Sequence, residues 1–231
     1  MSVPTSEQVG TRTYRSDQRE SQARSTRLRV VAAATATFLE CGYAGTTMRT
    51  IAAEAHVSVP TVESLFGTKA RLLKGAIDVA IAGDDEAVGV LDRRWAEAAA
   101  RATTVESFLS IVAAVLAPAQ ARSAGLVLAV FEGAATDAEL AALAAQLVDQ
   151  RAATAAWAVD QLARVAPRRV GCDRAEAIDT LWILMDPAVF DRLTRRRRWT
   201  GEQYERWFVG SVARLLVATN DAQAKTTRRS T

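Results

Sequence analysis

The chain has 231 residues, 49% of them hydrophobic, and a formal net charge of +3, enough apolar material to bury a substantial core. Two cysteines far apart in sequence give neither metal-ligand spacing nor a disulfide framework and read as structural; with a single histidine, no prominent pair of carboxylates on one helix face and no glycine-rich phosphate loop, an enzyme, a metal site or a cofactor is not expected. No run of eighteen or more apolar residues lacks charge, and the N-terminus has no apolar core of a secretory signal, so neither a membrane span nor export is expected and the predicted location is cytoplasmic.

Residues 1–21 are polar, balance three arginines against three acids and are expected to be a disordered arm. Arg12, Arg15, Arg19 and Arg24 leave two readings open, a solvated tail or an arm reaching a minor groove. The segment 22–75 is a compact run of helix signals. Val30, Val31, Ala34, Phe38 and Leu39 recur at helical spacing, and Cys41-Gly42-Tyr43 supplies the stop. Thr47 caps a second helix that turns Ile51 and Ala52 inward and leaves Met48 and Arg49 in its exposed first turn. Ser58 caps a third, with Pro60 in its first turn; Val62, Leu65 and Phe66 face in, and Val59, Pro60, Thr61, Glu63 and Ser64 face out. Such a face, short in side chain, fits a major groove about 12 Å wide. Thr68 caps a fourth helix whose early amides, with Lys69, suit a phosphate. From Gln22 to Ala82 there are seven bases against Glu40, Glu54, Glu63 and Asp78, so this is the net-basic part of the chain.

The order of these signals is that of a helix-turn-helix with supporting helices. Gly42-Tyr43, Thr46-Thr47, Ile51-Ala52, Val57-Ser58, Thr61, Phe66, Lys69 and Leu72-Leu73, without a gap from Arg27 to about Lys74, resemble the N-terminal domain of the TetR family of transcriptional regulators. The resemblance implies that Thr47, Met48, Arg49, Ser58, Val59, Pro60, Thr61, Glu63 and Ser64 contact double-stranded operator DNA and that Lys69 contacts phosphate. Three residues depart from the family pattern. Glu63 and Ser64 occupy positions where aromatic residues usually touch the DNA backbone, and a glutamate there suits a cytosine amine better than a phosphate. His56 replaces the turn glycine, so the turn is expected to be strained.

The segment 76–220 reads as helix after helix, with no strand-like alternation, so the predicted fold class is all-α. Expected starts are the capping boxes Thr103 with Glu106, Thr136 with Glu139 and Thr200 with Gln203, and a looser Asp173 with Glu176; expected stops are Pro118, Pro167 and Pro187. Val105, Phe108, Leu109, Val112 and Leu116 line one helix, and Leu126 to Phe131 form a short segment apolar nearly all round, which is expected to be central. Leu140, Leu143, Leu147 and Val148 begin an alanine-rich helix continuing past Trp157 to Leu162, whose small residues permit close packing or leave room for a guest. Two stripes near the C-terminus, Ile178, Leu181, Trp182 and Met185, then Tyr204, Trp207, Phe208, Val212 and Leu215, carry so much apolar surface that a two-fold partner is expected to cover them. Residues 221–231 read as a disordered tail. Arg195 to Arg198 read as a solvated loop, with nonspecific nucleic-acid contact as the other possibility.

The family resemblance adds an inducer cavity in this second, ligand-binding and dimerisation domain, and by that analogy Trp95, Phe108, Val112, Leu128, Phe131 and Trp157 line it for a small apolar or aromatic ligand. Glu132 is either its polar anchor or a solvent-facing residue. The chain is thus expected to be a homodimeric DNA-binding repressor released from a palindromic operator by such a ligand. The alternatives are a constitutive repressor, or an architectural protein, with no ligand response.

Overall fold

The computed structural model describes residues 6–86, 88–166 and 173–217, with side chains from Gln18 onward, Arg19 excepted. Pro167, Cys172 and the tail from 221 therefore lie outside the described residues. Among the described residues helices form and no strand does, as expected. The chain divides into two compact units between Ala76 and Ile77.

The first unit begins with α1, Ser6–Gly45. Residues 6–21, expected to be disordered, are helical because 11–41 contain neither glycine nor proline and nothing stops the helix running back from Arg27. Its buried stripe is Val30, Val31, Ala33, Ala34 and Phe38. Leu39 falls off that stripe and is 43% exposed, contrary to expectation, because it lies about 100° round the helix from Phe38. Cys41 is also exposed rather than structural. The helical path breaks where expected, at Gly42, whose φ of 68° is open to glycine without a steric penalty. Thr46, 1% exposed, donates its hydroxyl to Gly42 O at 2.7 Å and so closes the corner.

Two short helices follow, α2 (Met48–Glu54) and α3 (Val59–Phe66), and then α4 (Lys69–Ala82). Ile51, Ala52, Val62, Phe66, Leu72 and Leu73 are buried. Fully burying one of the larger of these side chains stabilises the unit by roughly 1.5–3 kcal/mol. Arg27 lies over the Phe66 ring at 4.4 Å and roofs this core from α1.

In the second unit a short 3-10 turn (Val90–Asp92) precedes α5 (Arg94–Ala100), α6 (Val105–Gly133), α7 (Ala138–Val165), α8 (Arg174–Leu184), α9 (Pro187–Asp191), a π-helical turn (Arg192–Arg196) and α10 (Gly201–Leu216). The centre is α6, against which α5, α7, α9 and α10 pack. The expected short central segment 126–131 is the last part of this one long helix. Pro118, expected as a stop, sits inside it. A proline there costs about 3 kcal/mol, and burial of Phe108, Leu109, Val112, Leu126, Val127 and Val130 along the same helix outweighs it. By length and composition α6 could span a membrane, with mean hydropathy 1.6 over eighteen residues. Its packing by four neighbours and its buried Gln120 and Ser123 mark it as a core helix.

Two of the expected caps move by one residue. Thr104, not Thr103, starts α6, accepting from Ser107 N at 3.1 Å while the two hydroxyls bond each other. Asp137, not Thr136, starts α7, because its carboxylate takes two amides, Glu139 N and Leu140 N, while Thr136 donates back to Gly133 O. The Thr200–Gln203 box forms with both halves, and Asp173 accepts from Glu176 N. Pro187, expected to end a helix, opens α9 instead, behind its cap Asp186.

Three neighbouring residues at the α8–α9 corner are each held by a different helix. Tyr204 of α10 donates to Leu184 O at 3.2 Å, Gln120 of α6 donates Nε2 to Met185 O at 2.6 Å, and Arg151 of α7 meets the Asp186 carboxylate at 2.9 Å. The first two satisfy carbonyls at the end of α8 that have no partner within the helix. Burial, and secondarily the Asp186 charge, push the Tyr204 hydroxyl well above its ordinary value near 10. The stability this contributes is present below pH 10 and is lost as pH rises past it, since only the unfolded chain then ionises freely. Tyr204→Phe should lower the unfolding free energy by about 1–3 kcal/mol at neutral pH by leaving Leu184 O unpaired. In urea melts the variant should also fall less steeply than the parent above pH 10; parallel decline would remove Tyr204 from that role.

Candidate nucleic-acid interface and inner cavity

The α2–turn–α3 unit is built from its caps. Thr47 and Thr50 form a reciprocal box, Thr47 Oγ1 accepting from Thr50 N and Thr50 Oγ1 from Thr47 N, both at 3.0 Å. Ser58 Oγ accepts from Thr61 N at 3.2 Å, and the Ser58 and Thr61 hydroxyls bond each other at 2.7 Å. Between the helices His56 N donates to Ala53 O and Val57 N to Ala52 O, the paired bonds of a helix end that needs a left-handed residue. His56 fills that place with φ 53°. The strain expected from the sequence is therefore present, on the order of 1–2 kcal/mol relative to glycine.

Around this turn Thr47, Arg49, Ser58, Pro60, Glu63 and Ser64 are exposed, and Met48, Val59 and Thr61 are half-buried. Val62 and Phe66 face in as expected, with Leu65 half-buried. The first turns of α2 and α3 thus present a patch of small hydroxyls and proline with one cation, Arg49, and one anion, Glu63. Side chains this short allow the backbone of α3 to come close to base edges.

Lys69, expected to contact phosphate, is engaged within its own unit. Its ammonium is half-buried, donates to Tyr43 O at 2.8 Å and Thr46 O at 2.9 Å, and lies 3.9 Å above the Tyr43 ring. A lysine at the start of α4 is drawn to these carbonyls because the α1–α2 corner has turned them out of helical bonding. It therefore positions α2. Thr68 caps α4 as expected, accepting from Arg71 N at 3.2 Å.

The second unit holds a partly open cavity of about 1180 Å³, lined from α5, α6, α7, the end of α4 and residues between Asp84 and Arg94. Of the six residues expected to line it, Trp95, Val112, Phe131 and Trp157 do. Phe108 does not: it packs behind Trp157, ring centres 6.1 Å apart, in the closed core. Leu128 also lies off the cavity, because the helical turn that presents Val127 and Phe131 to it carries Leu128 round to another side. Trp95 and Trp157 meet edge to face at 5.5 Å. Glu132 is exposed and takes no part.

Polar lining residues escaped the sequence reading. Gln120 and Ser123 could have been noticed as lone polar residues in an apolar helix; Arg151, on a mixed surface stretch of α7, carried no such signal. Arg93 closes the 84–94 segment through a bidentate bond to Asp84, at 2.6 and 2.9 Å. Arg151 is 12% exposed, with its guanidinium 3.9 Å over the Trp182 ring; burial draws its pKa down while Asp186 pulls it up.

The expected dimer face also needs correction. Leu181, Met185, Tyr204, Phe208 and Val212 are buried within their own unit, and only Ile178, Trp182 and Trp207, half-buried, and Leu215, 58% exposed, remain available. The wide aromatic stripe of α10 is apolar because α6 and α8 cover it. Ile183, 55% exposed on α8, was not anticipated.

Residues 30–76 match the family model described as bacterial regulatory proteins, tetR family. The chain has the TetR-family regulator fold. Three solved structures illustrate it. NalD, the secondary repressor of the MexAB-OprM multidrug efflux pump in Pseudomonas aeruginosa, is 18% identical over 84% of this chain and 97% of its own, with TM-score 0.60. FadR from Bacillus subtilis, in complex with stearoyl-CoA, is 14% identical over 84% and 99%, with TM-score 0.63. A Saccharomonospora viridis protein in complex with choline is 16% identical over 85% and 100%, with TM-score 0.61. At these identities the likeness is one of fold. No curated protein matches the chain. The family and these neighbours are transcriptional regulators, not enzymes.

If Lys69 positions α2 rather than gripping DNA, Lys69→Ala should lower the unfolding free energy by about 2 kcal/mol, since two bonds from a charged donor are lost. The slope of log affinity for duplex DNA against log salt should stay unchanged. A slope smaller by about 1 would restore the phosphate role.

Proposed function

We propose that the protein is a cytoplasmic, homodimeric repressor that reads a palindromic operator through α2 and α3 and releases it when a small, largely apolar molecule fills the second unit. The observation carrying this reading is the joint occurrence of an exposed, capped α2–α3 face and a partly open cavity, with α4 contributing residues to both. At its start α4 carries Lys69, bonded to the α1–α2 corner. At its end Asp78, Val79, Ile81 and Ala82 line the cavity. A ligand preferring the state that misplaces α4 would weaken DNA binding by a typical coupling of about 1–3 kcal/mol, roughly 5- to 150-fold. The stearoyl-CoA in FadR and the choline in the Saccharomonospora viridis protein support ligand binding on this fold.

Within the α2–α3 face, Arg49 is the cation available for base or phosphate contact and Glu63 is the acceptor for a cytosine amine. Arg49→Ala should weaken binding to the DNA upstream of the protein's own gene about tenfold in a gel shift. Systematic selection should return a changed base at one position of each half-site for Glu63→Gln. Wild-type affinity in the first case, or unchanged preference in the second, would remove these assignments.

Two copies should pair through the outward sides of α8 and α10, where Ile183 and Leu215 are exposed. This would set two α3 helices at half-sites about 34 Å apart or a multiple of it. Leu215→Glu combined with Ile183→Glu should move the sedimentation coefficient from dimer to monomer and reduce operator affinity. A dimer that persists in the double variant places the contact elsewhere.

A further inference from the structure

The bonding of α6 is disturbed at two points, and the stretch between them walls the cavity. Pro118 has no amide to give to the helix, and Ser123 donates its hydroxyl back to Ala119 O at 2.8 Å, a bond of the kind that bends helices. Ala119, Gln120, Arg122 and Ser123 all line the cavity. An occupant therefore meets α6 where the helix yields most easily.

The same turn holds the end of another helix. α4 closes at Gly83, which donates its amide to Val79 O at 2.8 Å from a left-handed φ of 86°. That ending leaves the carbonyls of Ala80 and Ile81 without a helical partner, and Arg122 takes both, Nε donating to Ala80 O at 2.8 Å and Nη2 to Ile81 O at 3.4 Å. A cation is favoured there because a helix ends in partial negative charge. Gly83 makes room for it, since a Cβ at that position would stand 3.1 Å from Nη2. Arg93 and Arg151, which also line the cavity, are anchored on Asp84 and Asp186; Arg122 forms no ion pair among the described residues. With no carboxylate to fix it, its guanidinium goes where the Ala119–Ser123 turn carries it.

Resting on the ligand-responsive reading above, we infer that Arg122 is the positioning residue through which occupancy of the cavity is conveyed to α4. An occupant pressing on the Ala119–Ser123 turn bends α6 next to Pro118. Arg122 moves with the turn, and the last turn of α4 loses its hold. Pro118 in mid-helix and Gly83 at the end of α4 thereby serve one device.

The test uses the full-length chain, N-phenyl-1-naphthylamine as a fluorescent apolar probe, and duplex DNA from upstream of the protein's own gene. DNA affinity is measured with and without saturating probe, and the ratio of the two is the coupling. In the wild type the probe should weaken DNA binding roughly 5- to 150-fold. Arg122→Ala should bring the ratio to within about twofold of unity, while the affinity of the free protein for the probe changes less than about threefold. Arg122→Lys, which keeps the charge but lacks the fork that spans two carbonyls, should fall between. Arg164 clasps the end of α5 at Ala100 O and Ala102 O without lining the cavity, so Arg164→Ala should cost stability and leave the ratio unchanged. A wild-type ratio in Arg122→Ala, or an equal loss in Arg164→Ala, overturns the role of Arg122 and leaves the ligand-responsive reading standing. If Arg122→Ala binds no DNA at all, Arg122→Lys decides, and an unreduced ratio there overturns the role. A probe that fails to bind the wild type, or binds without altering its DNA affinity, overturns the ligand-responsive reading and this one with it.

Discussion

A helix of 29 residues as apolar as Val105–Gly133 can exist in water only if other helices surround it, and the second unit is organised around that requirement. The helices α5, α7, α9 and α10 provide the cover. Their arrangement has a cost at the α8–α9 corner, where carbonyls are buried at a helix end; Tyr204 and Gln120 meet it, and Arg151 holds the adjoining Asp186 carboxylate. The same requirement explains why Pro118 does not break the helix and why the aromatic stripe of α10 is largely consumed inside the protomer.

What α6 does not fill becomes the cavity. Alanines and other small residues on the facing helices cannot reach across, and the two tryptophans, Trp95 and Trp157, brace each other along one wall. Its walls are not wholly apolar: Gln120, Ser123 and Arg151 line it beside the tryptophans.

The first unit obeys a different constraint, that of short helices whose ends must be satisfied. α2 and α3 have too few residues to be stable alone, so reciprocal hydroxyl caps and a left-handed turn carry what propensity cannot. His56 in the left-handed place is a local strain retained next to the surface proposed to meet DNA. Lys69 completes the unit by clamping the α1–α2 corner, which fixes the angle at which α2 is presented.

The all-α class, the order of the helices from Arg27 to Lys74, the caps at Thr47, Ser58, Thr68 and Thr200, and the inward residues of α2 and α3 were all determined by the sequence, because capping and helical periodicity act within a few residues. Only the tertiary structure decided which apolar residues meet which. Phe108, Leu181, Tyr204 and Phe208 have the same composition signal whether they line a pocket, a partner or a core, and burial by a distant helix alone tells these apart. The inward turn of Lys69, the pairing of Arg151 with Asp186 and the hold of Gln120 on Met185 O lie beyond local signals for the same reason: each depends on a carbonyl or charge brought close by folding from 23 to 65 residues away.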